Sequence, residues 1–272
     1  MMLQILVTTD FSSTAFNAFK YAAQLFSQYE GNITVLHSYA KITSSRSGSG
    51  ISEQNKQHEK FEIEKTRMEE FVQLAKLPVK VDYIFQEGEL LQNIQELIST
   101  KAINCLVMGT TGNSGFENKI LGSKTVTTIN NVTIPVLSIP IYAKYEGIDT
   151  LGMTSIYDAK DKNILKKIVP FAKQYHFEVL SIHILNKKNQ IAQEQIEDFK
   201  KDFATEPVSF IEKDSDEVSA GIFEFIDEHS VDMIFAVKRN RGFLQRILEK
   251  SLTEKLSYHQ SIPVLIINED FL

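Results

Sequence analysis

Apolar positions along the chain follow two alternating rhythms. Short runs such as "QILVTT" (4–9), "NITVLHSYA" (32–40), "VKVDYIF" (79–85), "NCLVMG" (104–109) and "PVLSI" (135–139) read as strands. Helical spacing fills the gaps between them. Residues 14–29 place Ala15, Phe19, Ala22, Ala23 and Phe26 on one face. Residues 53–75 form a polar helix with Phe61, Met68, Phe71 and Val72 inward, and 89–100 and 122–131 add two more helices. Strands separated by helices imply βαβ crossovers and a parallel, twisted sheet covered on both faces.

The pattern then begins again. Strands are expected at 149–155, 177–185, 208–212, 231–237 and 263–268, with helices at 158–175, 190–203, 216–229 and 249–258. The two halves share words: "IPVLSI" and "IPVLII", "GFENKIL" and "GFLQRIL". His37 and His183 occupy matching places in the second strand of each half. The stretch from His37 to Gly115 exceeds that from His183 to Gly242 by about 19 residues. The surplus falls on "KITSSRSGSGISEQNKQ" (41–57), whose Ser and Gly cannot pack a core. It reads as a surface loop with a longer helix behind it, or as a lid or partner site.

The fold class is therefore α/β, with two tandem doubly wound domains over 1–142 and 148–272, each built on a parallel five-stranded sheet. "YAKYEG" (142–147) is the connector. The closing strands of both halves are apolar, and an open apolar edge invites aggregation. Pairing these two edges with each other removes the hazard and makes the halves a pseudo-twofold pair. A homodimer of whole chains is compatible with this arrangement but not required by it.

Composition narrows the function. A chain of 272 residues is comfortable for two domains. A net charge of −6 and the lack of clustered Lys and Arg argue against a nucleic-acid partner. The single cysteine, Cys105, lies in an apolar run and reads as an inert core thiol in a reducing compartment. "MMLQILVTTDFSS" lacks a basic segment before its apolar stretch and reads as a first strand rather than a signal peptide. No apolar run approaches the roughly 20 residues that span a bilayer. The expected location is the cytoplasm, without a membrane partner.

Candidate chemistry concentrates in "GTTGNSGFENKILGS" (109–123). Gly109 and Gly112 permit tight turns and close backbone approach to a ligand. Gly122 and Ser123 stand at a helix start, where unpaired amides and the dipole favour an anion. Neither a Walker loop nor a dinucleotide fingerprint fits the spacing. On physical grounds alone the segment is either a phosphate site or a plain loop in which Ser123 is an ordinary helix cap.

The spacing Gly109-x-x-Gly112, nine residues, then Gly122-Ser123 resembles the ATP-binding signature of the universal stress protein family. "ILVTTDFSSTAFNA" is similar to that family's opening strand and turn, "VLHSY" to its second strand, and "EGELLQNIQELISTKAINCLVMGTTG" to its third helix and fourth strand. "IPVL" resembles its closing strand, and the likeness covers nearly the whole chain twice. It implies a tandem member with Rossmann-like, adenine nucleotide alpha hydrolase-like domains. By this resemblance Met108 and Gly109 would lie by the ribose and α-phosphate. Gly112, Gly122 and Ser123 would cradle phosphates, and Asp10 and the Ser38 backbone would meet the adenine. Thr8 stands where many members have proline. Lys124 replaces a small or apolar residue, and either adds charge beside phosphate or points to solvent. Asp10 reads equally as the cap of the first helix. Mg2+ or Mn2+ would accompany the phosphates.

The second half lacks this chemistry. Gly109 and Gly112 align with Ala236 and Arg239, or with Val237 and Asn240; Gly122 aligns with Glu249 or Lys250, and Asp10 with Ile156. Arg239, Arg241 and Arg246 form either an anion site or a solvated surface. No catalytic constellation or metal spacing is present among the six histidines. The expected function is ATP-binding stress regulation with nucleotide in the N-terminal half alone. A nucleotide-free interaction scaffold and a slow ATPase are the alternatives.

Overall fold

A computed structural model of the chain describes residues 3–27, 29–39, 50–74, 80–110, 122–185, 193–238 and 261–268; side chains between 50 and 58, and at 60, are outside that description. The first half runs β1 (Leu3–Thr8), α1 (Ser13–Phe26), β2 (Gly31–Tyr39), α2 (Gly50–Leu74), β3 (Val81–Glu87), α3 (Leu90–Lys101), β4 (Cys105–Gly109), α4 (Ser123–Asn131) and β5 (Val136–Ile139). The second runs β6 (Thr150–Thr154), α5 (Ala159–Tyr175), β7 (Glu178–Leu185), α6 (Gln193–Lys201), β8 (Val208–Asp214), α7 (Val218–His229), β9 (Met233–Lys238) and β10 (Val264–Asn268). The helix expected at 249–258 lies outside the described residues.

All strands join one sheet in the order β3-β2-β1-β4-β5-β10-β9-β6-β7-β8. Each half is a parallel five-stranded unit whose strand order reverses beside its first strand. The closing strands pair antiparallel, with Leu137 opposite Leu265 and Ser138 opposite Val264. Two apolar edges thus cover one another, as the sequence requires, and among the described strands β3 and β8 are left at the margins. No helix among the described residues is long and apolar enough to cross a membrane.

Alternation along the strands divides the core in two. Val7, Val35, Val107, Leu137, Met153 and Phe235 face α1, α2, α5 and α6. Leu6, Leu36, Met108, Val136, Ile182 and Ile234 face α3, α4 and α7. The apolar stripe of α1 is buried at Ala15, Phe19, Ala22 and Ala23. In α2, Met68 and Phe71 are buried, but Phe61 is not inward: it is 40% exposed. Its ring meets that of Phe85, on the marginal strand β3, with centroids 5.8 Å apart and planes at 67°. The helix also begins at Gly50, so the later part of 41–57 is helical rather than loop. Residues 40–49 lie outside the described residues.

Candidate functional site

The end of β1 and the turn after it form a frame that recurs in both halves. Thr9 Oγ1 accepts from the Phe11 amide at 2.9 Å, and Ser155 Oγ accepts from the Tyr157 amide at 3.0 Å. Phe11 and Tyr157 both take positive φ, 60° and 55°. Each ring then leans on the strand histidine: Phe11 on His37 at 4.4 Å and Tyr157 on His183 at 5.3 Å. His37 Nδ1 bonds the Thr9 carbonyl at 2.9 Å and His183 Nδ1 the Ser155 carbonyl at 2.7 Å. Both histidines are strand-end braces, and no cluster of three or more metal-ligating side chains occurs among the described residues.

At the point where strand order reverses, between β1 and β4, the first half opens a crevice. Thr8, Thr9, Asp10, Ser12, Ala15, Ser38, Leu90, Met108, Gly109, Lys124 and Thr125 line it, around some 560 Å³ of space partly open to solvent. Six positions expected from sequence therefore converge: Thr8, Asp10, Ser38, Met108, Gly109 and Lys124. Gly122 and Ser123 sit beside them at the start of α4. Gly112 lies outside the described residues.

Two capping expectations change. Ser12, not Asp10, caps α1, accepting from the Ala15 amide at 3.2 Å. Asp10 Oδ1 instead accepts from the Ser12 amide at 3.0 Å. Likewise Gly122, not Ser123, is the cap of α4. The Gly122 amide donates to the Thr110 carbonyl, which pins the returning loop to the end of β4. Thr125 Oγ1 donates to the Gly109 carbonyl at 3.0 Å and ties α4 to the same strand end.

Gly109 has a packing duty as well. A Cβ there would come within 2.9 Å of Thr14 Cγ2 and 3.1 Å of the Thr14 backbone. Its absence lets α1 sit close to β4 and sets the width of the crevice. Thr9, Ser12, Ala15, Leu90 and Thr125 were not singled out from sequence. Ala15 was counted only as a core position of α1, and nothing in periodicity distinguishes a helix position facing a crevice from one facing the core.

The second half carries different side chains at the same place. Ile5 pairs with Cys105 and its counterpart Leu151 with Met233, so Gly109 corresponds to Val237 rather than Ala236. Ser38 corresponds to Ile184. In the first half Asn93 Nδ2 donates to Ser38 Oγ at 3.0 Å and to the Gln86 carbonyl at 3.3 Å. In the second, Glu217 starts α7 as Glu89 starts α3, which puts Gly221 at the place of Asn93. A Cβ on Gly221 would lie 2.8 Å from Ile184 Cδ1, so an apolar contact replaces the polar pair. Arg239, Arg241, Arg246, Glu249 and Lys250 lie outside the described residues.

Cys105, in β4, is partly exposed, and burial of its thiol pushes its pKa up to about 12. A backbone hydrogen bond at Leu137 offsets this only in part, in keeping with an inert role.

A family model described as "Universal stress protein family" matches residues 1–140 and 162–268. A universal stress protein of Methanocaldococcus jannaschii is 26% identical over 139 residues, covering 49% of this chain and 79% of that protein. The crystal structure of a universal stress protein from Archaeoglobus fulgidus superposes with a TM-score of 0.68 at 17% identity, covering 98% of both chains. A Pseudomonas aeruginosa structure of the same description gives 0.58 at 13% identity, covering 99% of this chain and 95% of that one. At these identities the solved structures speak for the fold.

Proposed function

The chain belongs to the universal stress protein family, and from that premise we propose that its first half binds an adenine nucleotide and its second half does not. The two domains of this reading are 1–142 and 148–272. Nucleotide occupancy of the first then biases conformation or partner choice in a stress response. The supporting observation is the asymmetry of the two crevices. The first is lined by Thr8, Asp10, Ser38, Met108, Gly109 and Lys124, with Gly122 and Ser123 beside it, and the second has Ile184 and Val237 in place of Ser38 and Gly109.

The crevice suits the group. Ala15, Leu90 and Met108 offer apolar walls, while Asp10 and Ser38 offer polar groups for a base or ribose. Lys124 is exposed at the rim, next to the amides that open α4, where phosphate charge is favoured. Any Mg2+ or Mn2+ would be held chiefly by the phosphates. Among the described residues, Asp10 is the one carboxylate lining the crevice and this reading gives it to the nucleoside, so turnover should be slow or absent.

The test is to denature protein purified without added nucleotide and to quantify adenine nucleotide released per chain. Loading is then repeated by calorimetry with ATP and magnesium. One nucleotide per chain is expected. Two per chain would refute a nucleotide-free second half. None, with no calorimetric signal, would favour the scaffold alternative. One observation already speaks for that alternative: Phe61, Ile63 and Leu74 are exposed on α2 beside the marginal strand β3.

A further inference from the structure

The position of Ala15 on the crevice wall is taken in the second half by a carboxylate. Ser12 caps α1 and Asp158 caps α5, each accepting from the amide three residues on, which are Ala15 and Asp161. Asp161 is 0% exposed. Its Oδ2 accepts from Ser155 Oγ at 2.9 Å and from the Ile156 amide at 2.8 Å. An apolar core rarely receives an aspartate without such partners.

The same two donors exist in the first half. Thr9 replaces Ser155 and Asp10 replaces Ile156. Thr9 Oγ1 accepts from Phe11, as Ser155 Oγ accepts from Tyr157, which leaves its hydroxyl proton to be given elsewhere. Among the described residues, neither that hydroxyl nor the Asp10 amide donates to any protein acceptor. Thr9 and Asp10 line the crevice with Ala15, whose methyl group supplies no acceptor. Polar groups left so near a core are normally satisfied by something.

We propose that Asp161 is a resident ligand of the second crevice, holding the acceptor position that the first half leaves to its bound molecule at the Asp10 amide and the Thr9 hydroxyl. This deepens the nucleotide reading and rests on it for the identity of the ligand. The Asp10 carboxylate beside this subsite repels anions. The acceptor is therefore a neutral oxygen or ring nitrogen of the nucleoside, with the phosphates directed away toward Lys124. Duplication has given two copies of one donor pair, and a single substitution on the first helical turn decides whether the acceptor is covalent or free.

Grafting the second half's residues onto the first tests this. Ala15→Asp combined with Asp10→Ile reproduces the second-half pair without setting two carboxylates side by side. Its control is Ala15→Val with Asp10→Ile, of similar bulk but with no acceptor. The graft should melt several degrees above the control in nucleotide-free protein, because it satisfies both donors. It should also bind ATP at least tenfold more weakly than wild type. A graft no more stable than its control overturns the proposal. In the second half, Asp161→Asn keeps an acceptor oxygen and should melt clearly above Asp161→Ala; equal melting of these two also overturns it. If wild type binds no nucleotide while the graft and the Asn variant behave as expected, the nucleotide reading fails and the resident acceptor stands.

Discussion

Tyr29 and Tyr175, equivalent residues of the two halves, pack against each other with ring centroids 4.9 Å apart and planes at 62°. Each follows or ends the first helix of its half, so the contact lies on the pseudo-twofold axis. It adds an aromatic clasp to the β5–β10 pairing. Tyr21 and Tyr145, at 5.4 Å and 84°, reinforce the same side.

The clasp should be measurable as a coupling. Changing Tyr29 and Tyr175 to Ala singly and together, with stability read by denaturant unfolding, should give an interaction energy of about 0.5–1.5 kcal/mol. Strict additivity would mean that the rings merely adjoin.

Alkaline pH should weaken the fold. Burial, above all, raises the phenol pKa of Tyr21 beyond its ordinary value, with Tyr145 and Asp232 adding to the effect. Tyr157 and Tyr29 are raised as well, again chiefly by burial. The unfolded phenols ionise first, near 10. Their stabilisation is therefore complete below that pH and is lost as pH rises through the raised folded values. Unfolding free energy should fall as pH rises above about 10, and Tyr21→Phe should flatten the decline. A curve unchanged by that substitution would remove Tyr21 as a cause.

Cys105 should resist alkylation. With its thiol pushed up to about 12, almost no thiolate exists at neutral pH. Iodoacetamide at pH 8 should label native protein at least tenfold more slowly than urea-unfolded protein. Equal rates would show that β4 opens readily.

Gly109→Val copies the second half at one position. The added methyl groups press on Thr14 and must displace α1, at a cost of about 1–3 kcal/mol. Nucleotide binding should be lost as well. Ser38→Ile, which copies Ile184, should reduce binding with a smaller loss of stability. Normal ATP binding by both variants would locate the nucleotide elsewhere.

Much of this was legible in the residues themselves. Periodicity placed the strands and helices of the described regions to within a few positions, because exposure on a helix or a pleated strand repeats at fixed intervals. Repeated words revealed the duplication, and two apolar closing strands demanded the pairing found between Leu137 and Leu265. Glycine spacing marked Gly109 and its neighbours. Phe61 went astray because periodicity says which face of a helix is apolar but not how far a sheet extends beneath it.

Sequence alone determined the order of elements, the twofold repeat and the side of the sheet on which chemistry would gather, since these depend on neighbours along the chain. Tertiary structure alone decided that Gly109 matches Val237, that Ser12 and Gly122 are the caps, and that Ala15 faces a crevice while Asp161, at the matching position, is buried against Ser155 and the Ile156 amide. Those facts depend on atoms brought together from β1, α1, β2, β4 and α4, and distance through space is not written in distance along the chain.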